Sequence, residues 1–148
     1  MKKPWIICLL FFMGLHQTHA ATSASLQRGA KLFMNYCSGC HSLKYIRYNQ
    51  IGQGIGLIRD NGHIDEGLLA HLLFTQSTAY DVVRVALSES DAKQWFGKMP
   101  PDLSLTTQTK GVSWLKDYLH GFYEDTSRPF NSNNRMLLNT AMPNVLAP

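Results

Sequence analysis

Apolar positions recur at helical spacing over three stretches of the chain, and between them the pattern breaks on glycine, proline and asparagine. Leu26, Gly29, Ala30 and Phe33 fall on one side of a 3.6-residue repeat, which predicts an amphipathic helix from Leu26 to Asn35 that runs into Cys37. Asp65 reads as the start of a short helix through about Phe74, with Leu68, Leu69, Leu72 and Leu73 on its apolar side. Val112, Leu115, Leu119 and Phe122 share a face between Gly111 and Tyr123 and predict a third helix. Asp91 to Phe96 supports one or two helical turns, which Pro100 and Pro101 bring to a stop. The apolar, β-branched run from Asp81 to Leu87 fits a strand or a helix equally well. Gly52, Gly54, Gly56 and Gly62, together with Asn61, predict a flexible surface loop. The Asn- and Pro-rich tail from Thr126 to Pro148 predicts a loop lying over another part of the molecule. There is no internal repeat, heptad or low-complexity tract, so the expectation is an all-α domain with long loops.

The N-terminus follows a different rule. Lys2 and Lys3 precede an apolar run from Trp5 to Leu15, and small residues follow at Ala20 and Ala21, the pattern of a secretory signal over residues 1–20. The run is eleven residues long, short of the ~20 a membrane-crossing helix needs. A single domain over 21–148 is then expected. Without the signal, the 14 basic and 10 acidic side chains become twelve and ten, and the net charge falls from +4 to +2. No cluster of Lys and Arg is dense enough to neutralise a row of phosphates, which excludes nucleic acid as an expected partner. Cys8 lies in the signal, so the mature chain has two cysteines, Cys37 and Cys40, and no disulfide scaffold despite an exported location.

Those two cysteines carry the chemistry. Cys37-Ser38-Gly39-Cys40-His41 sets two thiols three positions apart with an imidazole directly after them, as thioether attachment of one covalent haem c requires. Cys37 and Cys40 reach two carbons on one edge of the porphyrin, and His41 reaches the iron. A dithiol redox pair also uses this spacing but needs a strand before it, whereas an amphipathic helix precedes it here. Zinc would need four ligands, and after the signal there is no second cysteine pair or close histidine pair. The sixth iron ligand decides between electron transfer and ligand binding, because a thioether closes the open axial site and raises the potential. Met34 is too near Cys37 to reach the other face. Met142 and Met99 are comparable candidates by chain position, with Met136 behind them, and any of the three also suits a buried gap-filler. His63, His71 and His120 are alternatives.

Four stretches together resemble cytochrome c1, the haem subunit of ubiquinol:cytochrome c oxidoreductase. Leu26 to Phe33 leads into the haem motif, Ser42-Leu43-Lys44-Tyr45-Ile46-Arg47-Tyr48 follows it, Pro100-Pro101-Asp102-Leu103-Ser104 is similar to the family's second signature, and Ala141-Met142-Pro143 to its methionine loop. The resemblance runs from about Leu26 to Leu146 and implies a cytochrome c-like monohaem fold. It implies His41 as the proximal and Met142 as the distal ligand of the iron. Pro100, Pro101 and Leu103 would wall the haem, and Arg47 and Tyr48 would lie beside it. Where the family has arginine for a haem propionate, this chain has Gln108 and Lys110, and Lys110 can pair with a carboxylate only as a point charge. Asp102 is alternatively a helix N-cap. Trp95 and Trp114 are read as core packing.

The family continues past its methionine loop with a helix that closes over the first one and a C-terminal membrane anchor. Six residues follow Met142 here, and the expectation is a shortened domain without the closing helix or the anchor. Leaving Leu26, Phe33 and their neighbours wet would cost ~1.5–3 kcal/mol per large side chain, so the Gly111–Tyr123 helix or a partner is expected over that face unless the chain is a truncated product. The implied function is electron transfer at the periplasmic face of the inner membrane, from an iron–sulfur donor to a soluble cytochrome c. Cytochrome b and the iron–sulfur subunit would be its partners and supply its membrane association, and the polypeptide by itself is not an enzyme. A free periplasmic monohaem carrier, or a ligand-binding haem protein should Met142 not bind the iron, are the alternatives.

Overall fold

The computed structural model describes residues 22–71 and 77–147. The signal of residues 1–20 and the Leu72 to Phe74 end of the second predicted helix lie outside them. Helix α1, Ser23–Tyr36, starts where the Thr22 hydroxyl accepts the Ser25 N–H at 3.3 Å, three residues earlier than its apolar spacing suggests. Its inner face carries Met34, 4 % exposed, with Phe33 packed beside it. Strand β1, Leu43–Arg47, follows, then helix α2, Tyr48–Gly54, and the five-residue helix α3, Glu66–Ala70, capped by Asp65 through the Leu68 N–H at 3.0 Å.

The predicted all-α class is corrected by two antiparallel pairs of short strands. The ambiguous Asp81–Leu87 run forms β2, Val82–Val83, against β1, with Leu43 opposite Val83 and Arg47 opposite Val82 and an irregularity between them. That pairing continues into α2, whose Tyr48 and Asn49 N–H groups donate to the Asp81 and Ala79 carbonyls at 3.1 and 2.8 Å. Helix α4, Glu89–Phe96, is capped by Ser88 and ends at Gly97 in a left-handed turn, φ 74°. Helices α5, Thr106–Lys110, and α6, Val112–His120, are joined at Gly111. Strand β3, Phe122–Glu124, pairs with β4, Ser132–Asn134, so the expected third helix stops before Phe122. The tail is correspondingly less of a plain loop than its composition suggests.

The glycine-rich stretch is also corrected in part, because Gly52 and Gly54 are helical. Gly52 is buried, and a Cβ there would make ordinary contact with a Leu69 methyl at 3.4 Å and with Ile64 at 3.5 Å. Met34, Tyr48, Leu69 and Val83 form the core cluster, with Phe33, Leu43, Ile51 and Ile64 against it. Beyond that cluster the apolar surface is open: Leu32, Leu105, Met136, Leu137 and Leu138 are all exposed. Trp95 is 57 % exposed, which corrects its assignment to the core: it sits at the end of a two-turn helix whose buried residue is Ala92. Among the described residues nothing lies within 4 Å of where a Gly29 Cβ would be, and Leu26 is exposed, so neither α6 nor any other described element covers that part of α1.

Candidate haem site

The end of α1 arranges the two thiols. Cys37 caps the helix, its N–H donating to the Phe33 carbonyl at 2.8 Å, and the chain continues in a helical turn in which the Cys40 and His41 N–H groups donate to the Cys37 carbonyl at 3.1 and 2.8 Å. The Ser38 hydroxyl closes the turn on the Met34 carbonyl at 2.8 Å. Three-residue spacing on such a turn places Cys37 and Cys40 on neighbouring positions of one side. Both are free thiols and half-buried. Burial pushes the Cys37 thiol up, with the neighbouring Cys40 adding to it, and burial alone pushes Cys40 up. That is the reverse of the depressed thiol a dithiol redox pair uses.

His41, 9 % exposed, has its Nδ1 2.8 Å from the Pro101 carbonyl oxygen. A carbonyl can only accept, so this contact makes Nδ1 the protonated nitrogen and leaves the Nε2 lone pair available for a metal. Among the described residues Nε2 has no hydrogen-bond partner. The donor set therefore fits a haem: two thiols on one turn, and next to them an imidazole whose Nδ1 is engaged by a carbonyl.

The same two segments meet at Asp102. Its Oδ2 accepts the Ser42 hydroxyl at 2.7 Å and the Lys44 N–H at 2.8 Å, and its Oδ1 accepts the Ser104 N–H at 2.9 Å. Burial of the carboxyl opposes its ionisation. Hydrogen bonds from the Ser104 hydroxyl, the Lys44 N–H, the Ser42 hydroxyl and the Ser104 N–H outweigh that and hold its pKa down at about 2. Asp102 is thus a link between segments rather than an N-cap: α5 begins at Thr106 and is flanked by Leu105. Leu103 is half-buried and donates its N–H to the Ser42 carbonyl at 3.0 Å, while Pro100 is half-buried and Pro101 exposed.

Met142 lies in the last loop, half-buried, with the Tyr118 hydroxyl donating to its Sδ at 3.6 Å. Tyr118 Oη also lies 3.0 Å from Thr140 Oγ1, which in turn receives the Met142 N–H at 3.5 Å. Tyr118 is held by Trp114, stacked at 5.3 Å, and by Phe122, edge-on at 5.4 Å. The rivals are differently placed: Met34 is in the core, and Met99 and Met136 are exposed. Lys110 is exposed with its Nζ 5.5 Å from the Trp114 ring centre. Arg47 donates to the Tyr80 carbonyl from an exposed position, and Tyr48, 5 % exposed, belongs to the core cluster. Tyr118 and Thr140 had no place in the sequence pattern, and Ser42, part of the stretch after the haem motif, had no role there. Ser42 and Asp102 each adjoin a motif residue, His41 and Pro101, and that adjacency is the signal that was available.

The family model described as the Cytochrome C1 family matches residues 12–66. Cytochrome c1 of Allochromatium vinosum is 46 % identical over 124 residues, 83 % of this chain and 48 % of that protein. This chain belongs to the cytochrome c1 family. The ammonia monooxygenase gamma subunit of Nitrosomonas europaea is 38 % identical over 126 residues, 85 % of this chain and 51 % of that protein. The chain thus spans about half the length of the curated relatives it matches.

Proposed function

We propose that the chain holds one covalent haem c and carries single electrons, with Cys37 and Cys40 as its thioether anchors, His41 as the proximal ligand and Met142 as the distal one. The observation that carries this reading is the 2.8 Å contact from His41 Nδ1 to the Pro101 carbonyl, which leaves Nε2 free beside two paired thiols. When bound, haem supplies an iron that alternates between ferric and ferrous. The chain's own part is to bind, orient and shield. The helical turn after Tyr36 presents both thiols, and the Pro101 carbonyl fixes the imidazole tautomer and raises its basicity. The Tyr118 hydroxyl and Thr140 hold the methionine loop in one arrangement, with Met142 Sδ turned toward the phenol.

Exposed Leu105, Met136, Leu137 and Leu138 supply apolar side chains suited to an apolar macrocycle, whose burial against them would add the core that eight buried apolar side chains leave thin among the described residues. Pro100, Pro101 and Leu103 would wall the group, with Arg47 and Tyr48 beside it and Lys110 near a propionate. The donor is an iron–sulfur protein, the acceptor a soluble cytochrome c, and the setting is the periplasmic side of a membrane complex that includes cytochrome b. Residues 1–20 direct export. No described helix is long and apolar enough to cross a membrane. Fractionating membranes and soluble periplasm and staining both for covalent haem tests this reading. Co-purification with cytochrome b and the iron–sulfur subunit is expected, and recovery only as a free soluble species would defeat the complex.

A further inference from the structure

His41 depends on a carbonyl sixty positions away in the chain. Pro101 has no N–H with which to anchor itself, being an imino acid, and it lies exposed. Something else must hold that carbonyl against the imidazole. Four hydrogen bonds tie residues 42–45 to residues 102–104. They run from the Leu103 N–H to the Ser42 carbonyl at 3.0 Å, from the Ser42 hydroxyl and the Lys44 N–H to Asp102 Oδ2 at 2.7 and 2.8 Å, and from the Tyr45 N–H to Ser104 Oγ at 3.2 Å. Two of the four end on one carboxylate oxygen, and the other oxygen takes the Ser104 N–H at 2.9 Å.

We infer that Asp102 is a positioning residue for the axial imidazole: its carboxylate locks the Pro100–Ser104 segment onto Ser42 and Lys44, and so keeps the Pro101 carbonyl on His41 Nδ1–H. This rests on the haem reading proposed above. The residue type is demanding. The Ser42 hydroxyl and the Lys44 and Ser104 N–H groups converge on the two oxygens, with the Ser104 hydroxyl beside them, so an acceptor-only carboxylate suits the place. Asparagine would turn an NH2 group toward either the Lys44 or the Ser104 N–H. Loosening the clamp lets the Pro101 carbonyl drift, weakens the Nδ1–H bond and makes the imidazole a poorer donor to ferric iron. The reduced form is then relatively favoured.

The test uses the haem-loaded full mature chain, its Asp102→Asn variant and its Ser42→Ala variant, which keeps the carboxylate but loses one arm of the clamp. Covalent haem content, the midpoint potential and the exchange rate of the His41 Nδ1–H proton in the 15N-histidine-labelled reduced protein are measured for each. The clamp predicts exchange about tenfold faster in Asp102→Asn and faster in Ser42→Ala as well, following the usual size of such indirect ligand effects. It also predicts a reduced-to-oxidised ratio raised up to about tenfold at fixed ambient potential, equivalent to 59 mV for a one-electron couple. If both variants melt at lower temperature while exchange and potential stay at wild-type values, Asp102 is structural only and the inference fails. If only Asp102→Asn moves the potential and exchange is unchanged in both, the carboxylate acts as a remote charge, which also overturns it. Should Asp102→Asn fail to fold, Ser42→Ala decides alone. A wild-type chain without covalent haem sinks the proposed function itself, an outcome separate from the others.

Discussion

Replacing Asp102 with asparagine should change how the folded domain responds to acid. The carboxyl is held at about 2 against an ordinary 3.8. Each unit of pKa is worth about 1.36 kcal/mol, so the ionised form is favoured by folding to a ceiling of about 2.4 kcal/mol. The group is near enough to solvent that screening cuts this to about 1 kcal/mol. Because the folded-state value is the lower one, the unfolded chain binds more protons between the two values, and stability rises with pH there. The contribution is fully present above about pH 4 and drains away as pH falls toward about pH 2. Thermal unfolding of wild type and Asp102→Asn, followed by far-ultraviolet circular dichroism at intervals from pH 2 to pH 7, reads it directly. The wild type should melt about 4 °C higher at pH 6, from about 1 kcal/mol in a domain of this size, and the gap should narrow as the pH drops. A gap that stayed constant across the range would refute the assignment of the lowered value to the Ser104, Lys44 and Ser42 hydrogen bonds.

Other consequences are more local. Tyr118→Phe removes the hydroxyl that donates to Met142 Sδ and contacts Thr140 Oγ1; with Met142 as the proposed iron ligand it should weaken the ferric methionine-to-iron absorption band and lower stability by about 1 kcal/mol, measured by optical spectra and urea unfolding, and an unchanged band and midpoint would show that the phenol is idle. Leu69→Ala empties a site that is 1 % exposed between Gly52 and the Met34–Val83 cluster, and should cost about 2–5 kcal/mol in urea unfolding, with a loss under 1 kcal/mol contradicting the packing. In the haem-free chain, Cys37 and Cys40 should alkylate slowly with iodoacetamide at pH 7 and speed up only above pH 9, because burial raises both thiols; rapid reaction at pH 6 would point to a redox pair instead.

The parts of the fold legible in the sequence are those where one local rule acts alone. The apolar spacing of Leu26, Ala30 and Phe33 marked α1, because it is decided within a few residues. Where a distant partner decides, the sequence misled or stayed silent. Val82 and Val83 became a strand because β1 lies beside them, and Phe122 left the third helix because Ser132-Asn133-Asn134, a wholly buried but polar segment, pairs with it. No apolar alternation announces such a strand. Gly52 read as loop punctuation, whereas it is a buried helical position beside Leu69 and Ile64. Asp102 looked like a cap because Asp after proline usually is one, and its real partners, Ser42 and Lys44, lie some sixty positions back. Trp95 shows the converse error: size and hydrophobicity suggested burial, yet it stands exposed near the end of a two-turn helix whose buried residue is Ala92.

The proposed function stands or falls with a porphyrin bonded to Cys37 and Cys40. The mature chain should be produced alongside haem-attachment machinery, extracted with acid–acetone, and assayed as its pyridine haemochrome. Haem should stay with the wild-type polypeptide and be lost from the Cys37→Ala/Cys40→Ala double variant. No tetrapyrrole on the wild type, or full absorbance retained by the double variant, would contradict it.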